Sequence, residues 1–261
     1  MRRKGAANPA DHIALNLALY GITGPSWAMT ERGASALTQT ETCLTLGPSA
    51  LTVTKSGALL ITIDERAAPI PRRLRGQIRL TPAARFDRPY PLDPNHRHFW
   101  TPLAPCARLD LEFTDPDLTW QGNAYLDSNA GSAPLEADFR HWDWSRATLP
   151  DGSTLVFYDA LRADASRLTL ARHFHPDGTL TVLPMPARAQ LPRGLWRMPR
   201  ACHGEASARL LKNFEDSPFY TRGLVETRLL GQPRLAIQES LSLTRFSQRW
   251  VQALLPYRIP R

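Results

Sequence analysis

A chain of 261 residues with 43% hydrophobic and 21% charged residues can bury one large core or two smaller ones without covalent staples. Its three cysteines, Cys43, Cys106 and Cys202, are odd in number and far apart, which excludes a disulfide framework or a CxxC pair and suits a reducing compartment. The formal charge of +8 invites an anionic partner, and 23 prolines, about twice ordinary usage, suit many short strands and turns.

The basic start Met1-Arg-Arg-Lys-Gly5 runs into Asn8, Pro9, Asp11 and His12, where a secretion signal needs an apolar core, so no such signal is expected. No segment reaches about 18 uninterrupted apolar residues, so none is expected to span a membrane. Ile13, Leu15, Leu17 and Leu19 alternate with smaller or polar residues, predicting a half-buried strand before the turn around Gly21 to Pro25. Strand signals recur at 27–30, 51–54, 59–64, 75–80, 108–113, 119–127, 154–159, 167–174, 180–183, 209–214, 224–230 and 234–243. Turns such as Lys55-Ser-Gly57, Pro150-Asp-Gly152 and Pro176-Asp-Gly178 separate several of them.

Along 73–80, Leu74, Gly76, Ile78 and Leu80 point inward and Arg73, Arg75, Gln77 and Arg79 outward, a cationic ribbon that serves a solvated edge as well as a binding face. No zinc-finger spacing, RNP-like motif or helix-turn-helix pattern accompanies it, so no nucleic-acid partner is expected. Helical periodicity is confined to 133–142 and 248–255. The pattern predicts an all-β protein of antiparallel barrels or sandwiches. The one plausible seam, Gly131-Ser-Ala-Pro134, divides it into domains 1–131 and 132–261.

Standard sites are lacking: no GxSxG, GxGxxG or P-loop, and the pairs His96/His98 and His173/His175 lack a third ligand, so they are expected at the surface with no metal and no cofactor. Cys106, between Pro105 and Ala107, is expected to be a small buried hydrophobe. What remains is carboxylates beside aromatics between Trp120 and Arg146. Read as a strand, Gln121, Asn123, Tyr125, Asp127 and Asn129 share one face, and Trp120, Gly122, Ala124 and Leu126 the other. Composition alone favours a solvated polar face. A carboxyl group walled by Trp142, Trp144 and Tyr125 would instead be held neutral, able to act as an acid.

Tyr125-Leu-Asp-Ser-Asn-Ala-Gly131, with Pro134-Leu-Glu136, Phe139, Trp142-Asp-Trp-Ser-Arg-Ala147 and Tyr158-Asp159, resembles the carotenoid 1,2-hydratases, or hydroxyneurosporene synthases. So do Trp27-Ala-Met-Thr-Glu-Arg-Gly33, Ile63-Asp-Glu65, Glu215-Asp-Ser-Pro-Phe-Tyr220 and Glu239-Ser-Leu-Ser-Leu243. The resemblance runs from about Asp11 to the end. It implies two lipocalin-like (calycin) barrels, the first shortened at its N-terminus because longer members carry extra sequence before this block. It also implies a cofactor-independent hydro-lyase that hydrates the terminal C1–C2 double bond of acyclic carotenoids such as neurosporene and lycopene, in the spheroidene or spirilloxanthin pathways of photosynthetic bacteria.

Within that resemblance Asp127 is expected to be the general acid, with Tyr125 and Asn129 orienting it or the water. Trp142 and Trp144 would line the substrate pocket, with Glu31 and Asp143 as secondary site residues. The expected partners are the carotenoid, a membrane surface bound peripherally from the cytoplasm, and other enzymes of the pathway. The rival reading is a carotenoid or lipid carrier without catalysis.

Overall fold

The structure is a computed structural model that describes residues 8–21 and 24–255. The basic start, the tip of the first predicted turn and the C-terminal stretch from 256 lie outside them. In chain order the strands are β1 (Ile13–Gly21), β2 (Gly24–Arg32), β3 (Leu37–Gln39), β4 (Cys43–Leu46), β5 (Ser49–Val53), β6 (Leu59–Arg66), β7 (Arg73–Pro82), β8 (Tyr90–Pro91), β9 (His98–Asp115) and β10 (Asp117–Gly131). There follow α1 (Leu135–Asp138), β11 (Phe139–Thr148), β12 (Thr154–Arg162), β13 (Arg167–Phe174), β14 (Leu180–Val182), β15 (Arg188–Gln190), β16 (Ala201–His203), β17 (Arg209–Asp216), β18 (Tyr220–Leu229) and β19 (Gln232–Ser242). Two short helices close the order, α2 (Leu243–Phe246) and α3 (Arg249–Leu254). The protein is all-β, with antiparallel pairing throughout the strand pairs whose registers are defined.

Two compact units interleave along the chain. One takes the chain up to Pro82 with Arg108–Gly122, the other Ala83–Ala107 with Asn123–Ala253. The chain crosses between the units after Pro82, part-way along β9 and β10, and again after Ala253.

In the first unit β1 and β2 form a hairpin, and β3 to β7 follow one another in a meander. Leu15, Leu17 and Leu19 pack against a core of Ala28, Ile63, Leu74, Ile78, Leu111 and Phe113, as their alternation predicts. Buried Glu65 clamps the strands: it accepts from both Arg32 guanidinium nitrogens (3.0 and 2.8 Å), Ser49 Oγ (2.7 Å) and Thr30 Oγ1 (2.9 Å). Burial pushes this carboxyl up, but those donors outweigh it and hold it below its ordinary range. The arginine face of β7 is exposed as expected, yet Arg73 is bidentate to Asp64 (2.9 and 2.7 Å), so the ribbon is partly neutralised.

In the second unit a seven-stranded sheet runs β14-β13-β12-β11-β19-β18-β17, and β15-β16 form a separate pair. Both of its faces are covered by apolar clusters. One is aromatic, around Tyr90, Trp100, Phe139, Tyr158 and Phe174; the other is aliphatic, around Leu149, Leu155, Phe157, Leu191 and Val225. The helix predicted over 133–142 shrinks to one turn, Leu135–Asp138, because Phe139 onward enters β11. The second predicted helix is present as α3. Among the described residues no helix is long and apolar enough to cross a membrane.

Gly76, on the inward face of β7, has no room for a side chain: a Cβ there would lie 2.4 Å from Glu112 O and 2.5 Å from Phe113 Cα. Gly76→Ala is expected to force β7 and β9 apart and cost about 1–3 kcal/mol, read as a lower denaturant midpoint at unchanged slope.

Candidate active site

Three adjacent strands and their neighbours put a defined row of side chains on one face of the second unit's sheet. The registers align Leu170 with Tyr158, Tyr158 with Trp144, Trp144 with Glu239, and Glu239 with Arg222. A flanking row carries Leu168, Ala160, Trp142, Leu241 and Tyr220. Period-two alternation therefore places Trp142 and Trp144 on this face together. Trp144 meets the Tyr125 ring at 5.4 Å and Trp142 meets Tyr158 at 6.2 Å. Trp100, fully buried, lies 5.7 Å from Tyr158 and 5.3 Å from Tyr90.

Asp127 belongs to this aromatic cluster. Its Oδ2 accepts from the Trp100 indole N–H at 2.8 Å and from the Tyr125 hydroxyl at 3.0 Å. Burial pushes its carboxyl above the ordinary range; the Trp100 and Tyr125 donors and the Arg146 charge only partly offset it. Burial, reinforced by the Asp127 charge, drives the Tyr125 phenol well upward, so it stays protonated and donating. Arg146 stacks over the Tyr125 ring at 5.3 Å instead of pairing with Asp127. Glu239 is neutralised by Arg222 at 2.8 Å. The Trp144 indole nitrogen is buried without a hydrogen-bond partner in the protein.

Of the residues expected from sequence, the structure joins Asp127, Tyr125, Trp142 and Trp144. Asn129 is exposed further along β10, as are Gln121 and Asn123, so only the middle of that polar face is buried. Glu31 belongs to the first unit, 2.9 Å from His12 Nδ1. Asp143 faces away from Trp142 and Trp144, as strand alternation requires. It accepts from Arg188 and Ser240 at 2.5 Å each and from the Ala201 amide at 3.2 Å, with His141 Nε2 at 3.3 Å. Burial alone would raise this carboxyl, but His141, Ser240 and Arg188 hold it below the ordinary range. Its place is in a buried polar knot with Asp159, His203 and Arg188, not beside Asp127.

Sequence reasoning does not find Trp100, Tyr158, Arg146 or Glu239 as site residues. Pro102 and Pro105 hide the strand signal around Trp100, since proline argues against a strand interior. His98 is also a correction: it is buried, with Nε2 2.8 Å from Asp138, not at the surface. Cys106 is buried as expected and donates to the Phe174 carbonyl. Among the described residues no cluster of three His, Cys, Asp or Glu side chains is arranged to hold a metal.

The carotenoid hydratase CrtC family matches the whole chain, residues 1–261. The chain belongs to this family. Among carotenoid hydratases, the acyclic carotenoid 1,2-hydratase of Thiocapsa roseopersicina is 47% identical over 100% of this chain and 64% of its own length. That of Rubrivivax gelatinosus is 40% identical over 98% and 63% respectively, so the chain spans a little under two thirds of these two relatives. The enzyme of Cereibacter sphaeroides is 36% identical over 100% of this chain and 93% of its own. In fold, the chain is similar to the crystal structure of the Nitrosomonas europaea protein NE1406, named for AttH, with a TM-score of 0.68 over 93% of this chain and 84% of that one at 18% identity.

In this carotenoid hydratase family member, Asp143→Asn is expected to cost about 3 kcal/mol, because Arg188 loses its closest anionic partner, read as a lower Tm. A depressed carboxyl contributes stability above its ordinary pKa and loses it as pH falls through the depressed value. Parent and variant melting temperatures should therefore converge in acid.

Proposed function

We propose that the chain is an acyclic carotenoid 1,2-hydratase, adding water across the terminal C1–C2 double bond of substrates such as neurosporene and lycopene. The observation that carries this reading is a carboxyl group biased to its neutral form, with two donors on one oxygen, inside an aromatic cluster of a carotenoid hydratase family member. An isolated trisubstituted alkene is a weak base. Its hydration needs a carboxylic acid that keeps its proton until an apolar substrate is beside it, a wall that tolerates a cation, and one water.

The two hydrogen bonds assign the proton. Donors converging on Oδ2 favour it as the carbonyl oxygen of the neutral acid, which puts the acidic hydrogen on Oδ1. Transfer of that hydrogen to C2 leaves a tertiary cation at C1 and an Asp127 carboxylate, whose new charge the Trp100 and Tyr125 donors stabilise. The faces of Trp144 and Tyr158 stabilise the cation. A water held by the unpartnered Trp144 N–H attacks C1 and gives up one proton, which Asp127 takes back. Atoms and charge balance, and the acid is regenerated without a cofactor.

The finer fold in this reading is two lipocalin-like barrels, one for each unit. The substrate dissolves in bilayers, so the protein works attached peripherally to the cytoplasmic side of a membrane, close to the other enzymes of the pathway.

Incubated with lycopene or neurosporene in membranes, the protein is expected to yield products heavier by one or two waters by mass spectrometry. An unchanged pigment mass would refute the reading. Asp127→Asn should lower the rate at least about a hundredfold with an unchanged circular dichroism spectrum. Its Tm near neutral pH should match or exceed the parent's, because the ionised carboxyl is the form that burial penalises. The protonated acid is the active form, so the rate should fall as pH rises through its raised pKa. Tyr125→Phe, by removing a donor to the carboxylate, should move that fall to higher pH while lowering kcat.

A further inference from the structure

We infer that the loop 193–197 and helix α3 form the surface by which this protein docks on anionic phospholipid bilayers, with Leu195 as the inserted residue. Leu195 is 87% exposed, the most exposed large hydrophobic among the described residues. Trp196 and Trp250 stack on one another, 6.0 Å apart at 22°, yet remain 39% and 46% exposed. Solvent-exposed apolar groups clustered in this way mark an interaction surface.

The loop is built to present them. The Leu195 amide donates to Asp216 Oδ2 at 2.5 Å, and the Arg197 amide to the Gly194 carbonyl at 3.0 Å. Arg245 donates to the carbonyls of Trp196 (2.7 Å), Arg197 (3.3 Å) and Pro218 (3.3 Å), tying the loop to α2. A Cβ on Gly194 would lie 2.1 Å from Asp216 Oδ2, so a side chain there would displace the carboxylate that holds the Leu195 amide. Arg197 adopts a positive φ of 51°. A hydrophobic residue held outward by this many polar contacts is displayed, not frayed.

Charge selects the occupant. Arg193, Arg197 and Arg249 are exposed around the patch, and neither 192–199 nor 243–255 contains an aspartate or glutamate. A leucine tip, a tryptophan layer and a surround of guanidinium groups match in turn the acyl boundary, the headgroup level and the lipid phosphates of an anionic membrane. The arginine face of β7 competes poorly for that role, since Asp64 neutralises part of it. α2 also links the patch to the proposed site: Arg245 clamps the loop, while the next residue, Phe246, packs against the aromatic cluster of Trp100 and Tyr158. What the docking is for rests on the hydratase reading; the docking itself does not.

Flotation with carotenoid-free vesicles, phosphatidylcholine with or without phosphatidylglycerol, tests it apart from catalysis. The parent should float with the anionic vesicles and much less with phosphatidylcholine alone. Leu195→Asp should weaken partitioning about tenfold or more, and Arg193→Ala and Arg249→Ala about fivefold each. All three should keep the parent Tm, since these side chains lie outside the cores. In detergent micelles Leu195→Asp should turn over carotenoid like the parent, while losing activity on vesicle-embedded substrate. Failure of the parent to float, equal flotation on neutral vesicles, or flotation unaffected by Leu195→Asp would overturn the inference. So would light scattering that shows a dimer which Leu195→Asp dissolves, because the patch would then be a contact between copies of this chain.

Discussion

Burial pushes three carboxyl groups of this chain upward, yet they reach opposite outcomes, and the difference organises the molecule. Glu65 and Asp143 each contact a guanidinium group directly, Arg32 and Arg188, and both are held below the usual carboxylate range. Asp127 is met by an indole and a phenol instead, and Arg146 acts on it only from across the Tyr125 ring. Neutral donors orient a carboxyl group but do not repay the loss of water around its charge. Withholding a contacting cation is therefore what separates the raised carboxyl of Asp127 from the two structural ion pairs. The sheet keeps the two kinds on opposite faces: Trp144 and Asp143 are neighbours in sequence, one beside Tyr125 and the other in the Arg188 knot.

That arrangement depends on register. A shift of β11 by one residue would carry Asp143 into the aromatic cluster and Trp144 into the polar knot, exchanging an apolar side chain for an ion pair on each face. Such a slip strands Arg188 and buries an unpaired carboxylate, each a penalty of several kcal/mol. The knot on the far face thus fixes the position of the tryptophans on the near one. Asp143, Ser240, Arg188 and the Ala201 amide hold β11, β19, β15 and β16 together, so residues on the far face decide where the tryptophans of the candidate site stand.

Strands with one uniform face were legible from sequence: Ile13 to Leu19 and Leu74 to Leu80 alternate because one side meets a core and the other water. β11 was not, because both its faces are buried and one of them is polar, so its pattern reads neither as alternation nor as a helix. β9 was seen only in its second half, since Pro102 and Pro105 interrupt the stretch that carries Trp100. In the candidate site, the grouping of Asp127, Tyr125, Trp142 and Trp144 was recoverable because they lie close in sequence on two strands. Trp100 and Glu239 were not; they reach the same place through pairing across long sequence separations, which no local period encodes. Asn129 shares a strand face with Asp127, but shared orientation says nothing of how far along the strand the covering cluster extends.

Under the hydratase proposal, the aromatic cluster would have to meet two demands that usually conflict. Raising the pKa of a carboxyl calls for exclusion of water, whereas the proposed hydration would consume water at the same place. Pure aliphatic walls would meet the first demand and offer nothing to a passing cation or to a water molecule. Indole and phenol rings exclude bulk solvent with their bodies, present electron-rich faces to positive charge, and keep single N–H and O–H donors that can each hold one partner. Trp100 and Tyr125 spend theirs on Asp127, and Trp144 has its own unspent among the protein atoms. Under the hydratase proposal, a cluster lined this way would admit a hydrocarbon and an ordered water together, without the solvent shell that lowers a carboxyl pKa. Aromatic residues with polar tips are thus a physical requirement of placing acid, alkene and water in one dry environment.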